Sequence, residues 1–315
     1  MPVRALKIDL LNICNARCSF CPYHGTKGSV TTQLRHRHEQ TSALAVEDIE
    51  ALAQACDHLR IRPQFKFSGR GEATLHRSFS AILRLLVERG FATRLITNGL
   101  RLTQCATLLA SCGTSVVVSI HGDAHAHGAV IGTPDALARA EDGIRALLTL
   151  NAAVAVAIIL TRAVLPSLRI LVERYAAQGI PTRVHHNFDL NEQRELAPEH
   201  VAAAIAEVRF HHPEVRFVPN LSSEHIARYY GPGAFILAPH ACVRHAEELE
   251  IDSDGTVRVC NSGPLGNIRQ EAFADIVHSA ARHAFVNAVD QELASPGGLC
   301  TARCDRCCYQ TAISA

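Results

Sequence analysis

Three cysteines within eight residues constrain this chain more than any other feature. Cys14, Cys18 and Cys21 stand in the run CNARCSFC, directly after the apolar stretch Ala5 to Ile13, which reads as a strand. A C-x3-C-x2-C turn can aim three thiolates at one face of a [4Fe–4S] cube and leave one iron open to bind and activate a small molecule. A disulfide fragment needs a partner thiol and an oxidising compartment, and this cluster has neither. Zinc usually takes four ligands, often as two C-x-x-C pairs, and only one such pair is present.

The run resembles the CxxxCxΦC signature of the radical S-adenosylmethionine (SAM) superfamily, with Phe20 at the aromatic position. The resemblance implies an α/β fold, a partial (β/α)6 TIM-like barrel with SAM chelated to the open iron of a [4Fe–4S] cluster. It also implies reductive cleavage of SAM to a 5′-deoxyadenosyl radical that takes a hydrogen atom from the substrate.

Composition narrows the surroundings. A chain of 315 residues with 48% hydrophobic content has room for one full domain and a smaller second one. Net charge is +1 and there is no long basic run, so neither a nucleic-acid nor a membrane-surface partner is expected. No apolar run reaches the length of a membrane span, and the N-terminus lacks a small-residue cleavage site. Twelve cysteines without a signal peptide point to metal rather than disulfides, in a cytoplasmic protein.

Strand and helix patterns alternate through the first two thirds, as a parallel β/α architecture requires. Strands are predicted at 4–11, 64–67, 92–97, 116–119, 153–160 and 181–187. Helices are predicted after a cap at Thr41 or Ser42, over 78–89, behind a cap at Thr103, and over 134–150, 166–178 and 198–210. Cys105 and Cys112 fall on one face of the Thr103 helix as small core residues. Residues 123–133 read as a loop and 211–240 as irregular chain. The domain division is then a barrel over 1–212, a connection over 213–240 and a cysteine-rich domain over 241–315.

The second to sixth strands carry candidate site residues at or near their ends. In Ser68-Gly69-Arg70-Gly71-Glu72 the glycines let backbone approach a ligand, and a glutamate can accept from an ammonium group. The turn resembles the family's GGEP motif, which holds the SAM amino group, with Arg70 between the glycines and Ala73 in place of proline. Gly69, Gly71 and Glu72 are the SAM-binding residues this implies. Thr97-Asn98-Gly99 resembles the family's TNG strand end, and Ser119-Ile120-His121-Gly122 resembles S-[IL]-D-G. The latter implies Ser119 near the SAM ribose or carboxylate, with His121 free to reach the substrate. Arg162, after the fifth strand, can pair with the SAM carboxylate or lie on the surface. On the sixth strand His185 and Asn187 share a face, either the barrel interior or a wetted edge.

The last third holds a second cysteine set. LEIDSDGTVRVC alternates about Ser253-Asp254-Gly255 like a β-hairpin, and a helix is predicted near 271–288. Cys242, Cys260, Cys304 and Cys307 can converge on a closed four-thiolate site; Cys300 and Cys308 offer alternative ligands. Spacing alone does not separate zinc from [4Fe–4S] there. The pattern resembles the SPASM/twitch extension of radical SAM enzymes, in its short form with one auxiliary [4Fe–4S] cluster in a small α+β domain.

That form most resembles dehydrogenases that oxidise a secondary alcohol on aminocyclitol or amino-sugar antibiotic precursors. The implied partners are a small-molecule substrate and an electron donor such as flavodoxin or ferredoxin. His121, Arg162, His185 or Asn187 would bind hydroxyls or remove the proton. The alternatives are crosslinking or epimerisation of a ribosomally made peptide, redox-neutral epimerisation of a small molecule, and a non-enzymatic metal-stabilised scaffold. The short stretch ahead of Cys14 leaves no room for an N-terminal peptide-recognition domain.

Overall fold

The computed structural model describes residues 2–21, 23–24, 41–186, 195–231, 243–260 and 263–294, with residues 292–294 as backbone only. Short strands with an apolar residue at every second position alternate with amphipathic helices. The strands are β1 (Ala5–Ile8), β2 (Gln64–Phe67), β3 (Thr93–Thr97), β4 (Ser115–Ile120), β5 (Val154–Leu160), β6 (Thr182–His186) and β7 (Arg216–Val218). Each pairs in parallel with the next, so their order in the sheet is their order in the chain. The connections hold α1 (Val46–His58), α2 (Phe79–Glu88), α3 (Leu102–Ser111), α4 (Ala124–Ile131), α5 (Ala136–Thr149), α6 (Leu168–Ala176) and α7 (Pro198–His211).

Leu6, Ile8, Phe67, Val118, Ile158 and Val184 are fully buried in the core beneath these helices. Each such side chain contributes about 2 kcal/mol by leaving water. Because side chains alternate across a strand, Lys7, Lys66, Arg94, Ser119, Arg183 and His185 fall on the other, concave face of the partial barrel. That face is polar and partly open, and it is where a substrate has room.

The C-terminal third extends the same sheet. After α8 (Ser223–Tyr230) and the single turn α9 (Arg244–Glu247), β8 (Glu248–Ile251) pairs in parallel with β1. β9 (Thr256–Arg258) and β10 (Gly266–Asn267) follow as antiparallel neighbours. The ten-stranded order is therefore β10-β9-β8-β1 through β7, with α10 (Phe273–Val277) and α11 (Ala280–Ala294) closing the described chain. The expected α/β partial barrel followed by a small antiparallel region is what the chain forms.

Several local expectations are corrected. Residues 124–131 are a helix, not a loop: Asp123 caps it by accepting from the Ala126 N–H, and Gly132 ends it at φ 79°. The stretch from 211 holds β7 and α8, because Phe217 and Ile226 add to the core under α7. The 271–288 helix is two helices; Ser279 accepts from the Arg282 N–H, and buried Arg282 donates to the Val277 carbonyl across the break. Neither Thr41 nor Ser42 caps α1; Asp48 reaches back to the Ala45 N–H, while the Ser42 and Ser253 hydroxyls share a hydrogen bond of 2.7 Å. Nor does Thr103 cap α3, which starts at Leu102 directly off the Gly99 turn.

Candidate active site

Cys14, Cys18 and Cys21 lie just past the C-terminal end of β1, the end at which barrel sites form. The loop is held in place from outside: Arg17 N–H donates to the Ile131 carbonyl and Ser19 N–H to Val130, so α4 braces it. Backbone N–H groups of Ala16, Tyr23 and His24 point at Cys14 and Cys21 sulfurs at 3.4 Å. Burial, together with the charges of the neighbouring thiolates and Glu72, pushes the Cys14 thiol up to about 11 and Cys18 to about 12. Without a metal Cys14 and Cys18 therefore stay protonated, and a cationic metal centre is what stabilises their thiolates.

Among the described residues, no group of three or more His, Cys, Asp or Glu is arranged to hold a single metal ion. Zinc draws its sulfurs to about 2.3 Å from one centre, whereas a cubane takes each thiolate on a different iron and suits a wider triangle. Three thiolates on one turn match the ligand count of a cubane with one open iron.

The second strand end packs directly against this loop. A Cβ on Gly71 would meet the Leu11 and Ile13 carbonyl oxygens at 2.1 and 2.5 Å, and one on Gly69 would strike the Asp9 carboxyl at 2.5 Å. Only glycine fits either position. Asp9 Oδ1 accepts from the Arg70 and Gly71 N–H groups. Burial drives the Asp9 carboxyl up to about 7 against the pull of those bonds. Arg70, the departure from the family motif, pairs with Asp252 in the turn after β8 at 2.8 Å and lies over the Tyr23 ring.

Glu72, the expected ammonium acceptor, is already engaged by protein donors. It is buried, and its two oxygens accept from Thr74 N–H, Thr74 Oγ1, Thr97 Oγ1 and Asn98 N–H. Three of these bonds end on Oε1 and one, from Asn98, on Oε2, so Oε2 keeps an acceptor position. Its work is to tie the turn at 68–72 to the turn at 97–99. Asn98 continues the chain of contacts, donating to Asn15 Oδ1 at 2.9 Å and to the Cys14 sulfur at 3.7 Å.

The remaining candidates separate. Ser119 and His185 are half-buried on the concave face, and burial followed by the Arg183 charge lowers His185 to about 4. His121 is 2% exposed beneath the cluster loop, edge-on to Phe20 and stacked on His127. Its backbone N–H donates to His127 Nδ1, and burial holds its ring neutral, with a pKa of about 3. Its ring packs between Phe20 of the cluster loop and His127. Arg162 is 75% exposed and sits 3.7 Å from Glu195, on the surface. Cys260 lies two residues past β9, half-buried against the core, while Asn187, Cys242, Cys300, Cys304, Cys307 and Cys308 lie outside the described residues. Cys112 is buried and Cys105 half-buried beside α5, as core residues. No described helix is long and apolar enough to cross a membrane.

Sequence reasoning missed the Arg70–Asp252 and Ser42–Ser253 contacts, whose partners are 182 and 211 residues apart. No local pattern reports them.

Comparison with known proteins agrees with this geometry. Residues 8–162 match the model of the radical SAM superfamily, and residues 242–308 match SPASM, an iron–sulfur cluster-binding domain. A Saccharolobus islandicus protein named "Probable GTP 3′,8-cyclase" is 31% identical over 146 residues, 46% of this chain and 43% of its own. A Thermococcus kodakarensis protein of the same name is 33% identical over 121 residues, 38% of this chain and 36% of its own. The chain thus spans less than half the length of these curated relatives. Among solved structures, anSMEcpe with bound AdoMet superposes with a TM-score of 0.68 at 16% identity, covering 100% of this chain and 89% of that one. Streptococcus suis SuiB bound to S-adenosylmethionine gives 0.66 at 15%, covering 91% and 68%. These two likenesses are of fold. With its cysteine turn, its bracing strand ends and both family models in register, the chain belongs to the radical SAM superfamily and carries a C-terminal SPASM domain, with a SAM-binding [4Fe–4S] cluster and an auxiliary iron–sulfur cluster.

Proposed function

We propose that this enzyme oxidises a substrate alcohol to a ketone by hydrogen abstraction on the concave face of the barrel. The supporting observation is the parallel pairing of β8 with β1. It sets the Cys14–Cys18–Cys21 turn at one end of that face. β9 then runs antiparallel to β8, so Cys260 comes to the other end. Four residues of strand and the flanking turns separate the two, on the order of 15 Å at ~3.3 Å per residue. A small alcohol fits between them.

When bound, the N-terminal cluster and SAM supply a 5′-deoxyadenosyl radical, and the C-terminal cluster supplies an electron acceptor. At the substrate, one hydrogen atom leaves carbon, one proton leaves oxygen and one electron departs, so C–OH becomes C=O. Cys14, Cys18 and Cys21 hold the first cluster; Cys260 holds the second with Cys242, Cys304 and Cys307, or with Cys300 or Cys308 in place of one. Gly69 and Gly71 keep the SAM turn against the cluster loop, and Glu72 and Asn98 lock it there. Ser119 and neutral His185 offer hydrogen bonds to substrate hydroxyls, and Asn187 follows them on the same strand.

Amino sugars and aminocyclitols are the substrates the cysteine pattern resembles. A peptide is the second reading: the fold neighbour SuiB has been solved with a precursor peptide, and Ile96, 38% exposed on the concave face, offers an apolar contact to a side chain.

The test is iron, sulfide and zinc in anaerobically reconstituted protein with Cys14, Cys18 and Cys21 changed to Ala. About four irons per chain should remain, as for one cubane, while the wild type forms 5′-deoxyadenosine from SAM and reductant. Loss of all iron from a folded variant, or zinc in its place, removes the electron acceptor and leaves a redox-neutral reaction such as epimerisation.

A further inference from the structure

Arg94 on β3, Arg183 on β6 and Arg216 on β7 each alternate with residues buried toward the helices, Leu95, Val184 and Phe217. All three therefore extend from the concave face. Arg183 and Arg216 are register partners on adjacent strands. Burial, then the charges of Arg94 and Arg216, work against the protonated form of Arg183, which places both of those guanidinium groups within electrostatic reach of Arg183.

Arg94 Nε donates to Ser115 Oγ at 3.1 Å. Among the described residues no carboxylate is within ion-pair distance of any of the three. Elsewhere on this face the cations are matched: Lys7 with Glu250, Lys66 and Arg244 with Glu248, Arg70 and Arg258 with Asp252. Arg183, half-buried between two further cations, is relieved when an anion joins it. Guanidinium forks are shaped for the paired oxygens of carboxylate or phosphate.

We propose that Arg94, Arg183 and Arg216 bind an anionic group of the substrate, a carboxylate or a phosphate ester. The proposal rests on the reading that substrate occupies the concave face. Arg94 precedes Asn98 by four residues, ~13 Å along the strand at ~3.3 Å per residue, and Asn98 touches Cys14. An anion at the arginines therefore leaves the far part of a small substrate near the cluster. An ammonium-bearing ring is repelled there, so the site shifts the substrate class from amino sugars toward phosphorylated or carboxylated alcohols.

The experiment is equilibrium titration of the full-length reconstituted protein with inorganic phosphate and with succinate, at ionic strength held constant with chloride. Saturable binding of at least one anion is expected. It weakens about tenfold in Arg183→Gln and in Arg216→Gln, the scale of one charge-assisted pair, and is unchanged in Arg84→Gln on the exposed side of α2. Phosphate alone points to a phosphate ester, succinate alone to a carboxylate, and both to an anion site that admits either. No saturable binding, or equal binding in all variants, overturns the site. So does a lower unfolding midpoint for anion-free Arg183→Gln, since a purely structural arginine destabilises when lost and an unpaired one does not. Formation of 5′-deoxyadenosine is read on the same samples. If it persists while neither anion binds, the radical reading stands and the anion site alone falls.

Discussion

On the β8–β1–β2 side of the concave face, Lys7 meets Glu250 at 3.0 Å, Lys66 meets Glu248 at 2.7 Å, and Asp252 is shared by Arg70 and Arg258. On the β3–β6–β7 side, Arg94, Arg183 and Arg216 extend from the same sheet with no described carboxylate in reach. The first side is where the C-terminal hairpin docks on the barrel, and its charges neutralise one another across that seam. A mismatched charge there would oppose the docking. Among the described residues, none on the second side pairs with its charge, which leaves it for a ligand.

The sharpest break in that contrast is Asp9, the acid on the paired side whose cation is lent mostly through backbone. Its carboxyl is raised to about 7, so the stability it contributes is present at low pH and lost as pH rises toward and through 7. Asp9→Asn keeps an acceptor for the Arg70 and Gly71 N–H groups. In SAM-free protein it should gain on the order of 4 kcal/mol over wild type at pH 8, from about 1.4 kcal/mol per unit, and almost nothing at pH 4. Urea unfolding at both values checks it; an equal gain at both would mean that the carboxyl does not titrate in this range.

Asp252→Ala should cost about 3 kcal/mol, because Arg70 and Arg258 are each left poorly solvated and unmatched. The double variant Asp252→Ala with Arg70→Ala should recover part of that loss. If it loses stability additively, the pair is not what holds the seam.

Glu248→Gln should cost less, about 2 kcal/mol at pH 7, the scale of a charged hydrogen bond. Burial opposes the Glu248 carboxylate, but the Arg244 charge and the Lys66 hydrogen bond hold its carboxyl below the usual range. Its stabilisation is therefore present above about pH 4.3, the unfolded value, and disappears as pH falls through the lower folded one. The variant should show a flatter acid limb in its stability profile. An unchanged limb would place the acid sensitivity elsewhere on this face.

Much of this architecture is legible in the amino-acid sequence, because its causes are local. The Cys14–Cys18–Cys21 spacing, the Gln64–Phe67 strand, the glycines at 69 and 71 and the Asn98 turn all follow from residues within a few positions of one another. Helix α4 was also within reach, since Asp123 and Gly132 bracket it, but AHAHGAVI lacks the apolar period that identifies a helix. The three-residue β7 is too short to announce itself without β6 beside it.

What only the tertiary structure decided depends on residues far apart in the chain. That Glu72 ties Thr97 and Asn98 to its own turn, and that His121 packs between Phe20 and His127, is visible only in the folded chain. Arg70 looks like a flaw in a motif until β8 brings Asp252 to it. Residue identity and local spacing determined which chemistry the chain can host. Long-range strand pairing decided which charges find partners, because burial and neutralisation are properties of the assembled sheet and of no single segment.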